Sequence, residues 1–80
     1  MIKEHDMVAI TIDLTHLGLY RGDVGTVVYI YGSGNTYEVE FMNAVGDTVA
    51  VETLQAEQIY LIDQRKAILH VADLPAQNAA

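Results

Sequence analysis

Residues 36–42 read Thr-Tyr-Glu-Val-Glu-Phe-Met. Tyr37, Val39 and Phe41 alternate with Glu38 and Glu40, and successive side chains on a strand point to opposite faces. A helix would keep Tyr37 and Phe41 on one face but turn Val39 to the opposite side. A strand gathers them on one side and leaves both carboxylates in water. Gly32-Ser33-Gly34-Asn35 stands just before the run. It suits a hairpin turn, because glycine and asparagine tolerate positive φ. This stretch predicts one half-buried strand of an antiparallel sheet, and the rest of the chain must supply its neighbours.

Runs of the same kind recur on either side. Asp6 to Asp13 alternates Val8, Ile10 and Ile12 with Ala9 and Thr11. Gly25 to Tyr31, Thr48 to Thr53 and Ile59 to Ile62 read as three more short strands. In Gly25 to Tyr31, Val28 and Ile30 fall on one face, Tyr29 and Tyr31 on the other. Asn43 to Asp47 makes a second tight turn, and Leu54 to Gln58 has the length of a single 3₁₀ turn. Leu14 to Asp23 exceeds the about two to five residues usual in a hairpin loop. It carries Leu14, Leu17, Leu19 and Tyr20, so it is expected to fold back over the open end of the sheet. Strand, long loop, hairpin, hairpin, helical turn, strand predicts an all-β, small five-stranded barrel, with closure favoured because it removes exposed edges.

Eighty residues make one domain. The barrel is assigned to residues 1–63 and a C-terminal extension to 64–80. In the extension, Ile68, Leu69, Val71, Ala72 and Leu74 fit either a helical turn or a short strand, Pro75 ends whichever forms, and Gln77 to Ala80 is expected to fray.

Eleven acids face four bases, Lys3, Arg21, Arg65 and Lys66, for a net charge of −7. Nucleic-acid affinity comes chiefly from neutralised phosphates, so this balance argues against nucleic acid and against an anionic membrane. A basic protein would be attracted. The absence of cysteine removes disulfides and thiolate chemistry. The opening Met1 to Asp6 lacks the basic and then apolar character of a signal peptide, and no apolar run approaches the roughly 20 residues of a membrane helix. A cytoplasmic protein is expected.

Catalytic readings find little support. Ser33 lies in a Gly-Ser-Gly turn with no histidine near it in sequence. Glu38 and Glu40 stand about 7 Å apart on a strand, a spacing open to acid–base or metal chemistry, yet their alternation places them on the solvated face. His5, His16 and His70 lack metal-ligand spacing. The glycine-bearing turns 22–25 and 32–34 are followed by strands, whereas a dinucleotide loop needs a helix. No catalytic residue, metal site or cofactor is predicted.

Two segments carry a resemblance. Leu19-Tyr20-Arg21-Gly22-Asp23-Val24-Gly25-Thr26-Val27-Val28 and Thr36-Tyr37-Glu38-Val39-Glu40-Phe41 resemble a small bacterial family catalogued as a domain of unknown function, DUF4926. That family shows an Asp-x-Val-x-Leu opening, here Asp6-Met7-Val8-Ala9-Ile10 with isoleucine last. The likeness covers about Lys3 to Leu61. The glycine motif is also similar to turns of SH3-like barrels, among them the KOW motif and a small photosystem-I subunit. The resemblance implies an SH3-like barrel and no known activity. It also implies short stand-alone proteins, some encoded beside a toxin- or nuclease-like neighbour. Gly22, Asp23, Gly25, Gly32 and Gly34 are expected to be structural turn residues, the aspartate accepting backbone N–H groups.

Exposed tyrosines suit interfaces, because each joins a large apolar ring to a polar tip. Tyr20, Tyr29, Tyr31 and Tyr60, with Glu38 and Glu40, form the expected contact set for a protein partner. The expected function is a non-enzymatic interaction module, with an antitoxin or immunity-like role against a basic, co-encoded protein as one form. The alternatives are an accessory subunit of a larger complex or a homo-oligomer, either using the apolar extension.

Overall fold

A computed structural model describes residues 1–71 and 74–76. Five strands form one antiparallel sheet: β1 Met7–Ile10, β2 Val24–Ile30, β3 Thr36–Met42, β4 Thr48–Gln55 and β5 Ile59–Leu61. Their spatial order is β4-β3-β2-β1-β5. Two single 3₁₀ turns, Thr15–Leu17 and Ala56–Gln58, interrupt the connections, and the described residues contain no α-helix. The all-β reading, with a 3₁₀ turn before the last strand, therefore holds. The expected closure is not seen: β4 and β5 each pair with one neighbour, and the second 3₁₀ turn lies between them in the chain.

The core is what the alternation demands. Val8 and Ile10 of β1, Val27 of β2, Tyr37, Val39 and Phe41 of β3, Leu54 of β4 and Ile59 of β5 are all buried. Leu14 and Leu19 join them from the long β1–β2 connection, where they form an isolated bridge. That connection does fold back onto the core, although Tyr20 stays at its surface.

Several boundaries differ from the sequence reading. β1 ends at Ile10, because its carbonyl accepts from Gly22 N–H and its N–H donates to the Asp23 carbonyl. Ile12, expected in the strand, lies beyond its end and is only partly buried. β4 runs through Gln55, so Leu54 pairs with Tyr37 and fills the core, where the sequence suggested a helical turn. The 3₁₀ turn starts one residue after β4 ends, held by Gln58 Oε1 accepting from Gln55 N–H at 2.8 Å. In the extension a turn at 64–66 is followed by neither helix nor strand in the described residues, because no neighbouring strand pairs with it. Ala72 and the frayed end expected at 77–80 lie outside the described residues.

The glycine motif resolves into two different needs. Gly22 has φ +95°, a conformation that other residues rarely adopt, and nothing crowds it. Gly25 has ordinary φ but no room: an added Cβ would meet Val39 Cγ1 at 2.6 Å and the Glu40 carbonyl at 2.9 Å. Asp23 Oδ2 accepts from Tyr20 N–H at 2.8 Å, the role expected of a turn aspartate. In the β2–β3 hairpin the positive φ falls on Gly34 alone; Gly32 has neither positive φ nor a close neighbour, so its turn role is not enforced.

Candidate binding surface

Tyr29, Val51 and Thr53 are exposed on the outer face of the sheet. On β2, Gly25 and Val27 point into the core. Continued regularly, that alternation would also carry Tyr29 and Tyr31 inward. It does not continue, because β2 slips by one residue against β3 between Val27 and Tyr29. Val28 is the extra residue of this bulge. It is exposed, so it does not share a face with Ile30 as the alternation predicted. The bulge turns Tyr29 and Tyr31 outward and returns Ile30 to the core side.

The two rings meet edge to face, with centroids 5.0 Å apart and planes at 80°. Such a pair contributes about 0.5–1.5 kcal/mol beyond its buried area. They remain 51% and 41% exposed, so about half of this aromatic surface is open to a partner. Tyr29 stands directly across from Glu38 on β3. Glu38 in turn faces Thr53 of β4 and accepts its hydroxyl; Glu40 accepts the hydroxyl of Thr48. Both carboxylates are half-buried on the outer face. A carboxylate has about four lone-pair sites, so one hydroxyl orients each without saturating it. The result is two aimed anions beside two tyrosine rings.

The other two tyrosines lie elsewhere. Tyr60 of β5, at the sheet end opposite β4, pairs with Ala9 of β1 and borders a shallow hollow of about 270 Å³ with Arg21 and Gly22. Tyr20 sits in the β1–β2 connection. The six expected contact residues thus form a cluster of four, Tyr29, Tyr31, Glu38 and Glu40, with two outliers.

The family model described as domain of unknown function (DUF4926) matches residues 4–61. The chain belongs to that family. Neither the curated proteins nor the solved structures contain a match. The DUF4926 match takes in all five strands and stops before the extension.

Within this DUF4926 domain two features escaped the sequence. The threonines that tether the glutamates come from a strand whose register against β3 neither strand specifies alone. Glu52, the acid of β4, sits opposite the buried Val39, with its Oε2 4.0 Å from Nε2 of His16 in the first 3₁₀ turn. Its alternation with Leu54 was the available signal. Among the described residues no three histidine or acidic side chains cluster to hold a metal ion, and no helix is long and apolar enough to cross a membrane.

Proposed function

We propose that this DUF4926 protein is a non-catalytic, SH3-like binding module of the cytoplasm that engages a basic protein through Tyr29, Tyr31, Glu38 and Glu40. The observation that carries the reading is the register pair Tyr29–Glu38, which sets an exposed aromatic pair against a hydroxyl-tethered carboxylate. A lysine or arginine entering there meets an anion whose orientation is already fixed, and its aliphatic stem can lie on a ring. The net charge of −7 steers such a partner in and repels acidic competitors. An antitoxin or immunity-like role is the form in which the partner is a co-encoded protein with a basic active site.

The test compares the tagged chain with a Tyr29→Ala/Tyr31→Ala variant for capture of proteins from a lysate of the source cell. The wild type is expected to retain a basic protein at low salt and release it as salt rises. The double variant is expected to retain about tenfold less, as for the loss of an interface aromatic. Equal retention by both, or no basic protein retained at low salt, overturns the reading.

A further inference from the structure

Away from the tyrosine cluster, the outer face of the sheet turns apolar. Val8 and Ile10 point into the core, so Met7 and Ala9 point out, and their register partners Thr26 and Val24 share that side. Met7 of β1, Val24 of β2, Met42 of β3 and Val49 of β4, together with Leu19 and Phe41 of the core, line one groove of about 460 Å³. Residues 64 and 67–70 of the extension form its far wall. This arm frames the groove without filling it, for Ile68 is 86% and Leu69 95% exposed. Val71 and Leu74 farther along the arm are also exposed. One exposed leucine is ordinary. A run of large apolar side chains in water beside an unfilled apolar groove is the pattern of a contact surface.

Charge separates the two surfaces. Residues 1–63 hold ten acids and two bases, while residues 64–80 hold one acid and two bases. Arg65 contacts Asp63 at 3.4 Å yet its side chain is 91% exposed, and Asp23 lines the groove. Body against body repels; arm against body attracts.

We propose that two copies of this chain associate by reciprocal exchange, each laying Ile68 and Leu69 of its arm into the groove of the other. The occupant is a second copy because the groove's own arm already serves as its wall while Ile68 and Leu69 stay exposed. The contact is isologous, so one twofold axis satisfies both grooves and closes the assembly as a dimer. Tyr29 and Glu38 lie beyond the row that holds Thr26 and Glu40, and stay free for the partner proposed above.

Paramagnetic labelling tests this directly, since the chain has no cysteine to interfere. A nitroxide is placed on Ala67→Cys in isotopically unlabelled chain, which is mixed with ¹⁵N-labelled wild type. Broadening of the Val24, Met42 and Val49 amides in the mixture is expected, together with a sedimentation mass twice the 8.8 kDa of one chain. Leu69→Asp, at a side chain outside the core, is expected to abolish both while leaving the thermal midpoint of the dilute protein unchanged. Broadening only when spin label and ¹⁵N share one molecule would mean that the arm closes on its own groove, and overturns the proposal. So does a wild type that stays monomeric at millimolar concentration, or a Leu69→Asp chain that stays dimeric. Loss of dimerisation in Leu69→Asp with retained capture of a basic protein separates this proposal from the tyrosine-face reading.

Discussion

Gly25 lets β2 pass within contact distance of β3. Its missing Cβ would press on a valine methyl, an aromatic carbon of Phe41 and a backbone carbonyl, and the carbonyl belongs to a strand paired on both sides. Gly25→Ala is therefore expected to cost about 1–3 kcal/mol, the usual penalty of overpacking, as a lowered urea midpoint with unchanged slope. A variant as stable as wild type would show that β2 and β3 part easily. The sequence Gly-Asp-Val-Gly was legible as a tight entry to a strand. That one glycine answers to dihedral angle and the other to distance was not, because the colliding atoms come from residues 39–41. The same limit hid the threonine tethers of Glu38 and Glu40, which are cross-strand facts.

The strands themselves were readable from alternation and turn residues, most cleanly in β3. The bulge in β2 was not. Val27 and Val28 are identical in chemistry, and only the β3 partner decides which is buried. The bulge makes an unusual deletion permissible. Removing Val28 leaves Val27 opposite Val39, Tyr29 opposite Glu38 and Ile30 opposite Tyr37, a regular ladder with every side chain on its present face. This variant is expected to unfold cooperatively with a loss of no more than about 1–2 kcal/mol, within the usual range for a single change. Removing Glu38 instead slips β3 by one and drives part of its apolar set into water. That chain is expected to lose its cooperative transition. Urea titrations followed by tyrosine circular dichroism compare the two; equal damage would refute the parity argument.

At the scale of the whole molecule, every core residue lies between Val8 and Ile59, and the large apolar side chains described in the arm are exposed. A chain ending at Asp63 is therefore expected to keep its fold, with stability within about 0.5 kcal/mol of the full chain in dilute solution. At high concentration the full chain should gain stability and the truncated one should not, because association adds to apparent stability by mass action. Loss of the cooperative transition on truncation would place the arm inside the folding unit. The apolar character of the arm was visible in sequence, but the groove beneath it was not, since Met7, Val24, Met42 and Val49 are brought together only by the strand order. That order also sets a timetable. β2, β3 and β4 form a meander of adjacent strands, whereas β1 must pair with β5 from the far end of the sequence, Val8 against Leu61. Distant pairings form slowly. On the ribosome, β1 emerges first and waits roughly 3–10 s, at about 5–20 residues per second, for its second neighbour to be synthesised. Through that interval its outer edge is open to any other nascent strand, so the short β1 of four residues keeps the hazard of a wrong partner small.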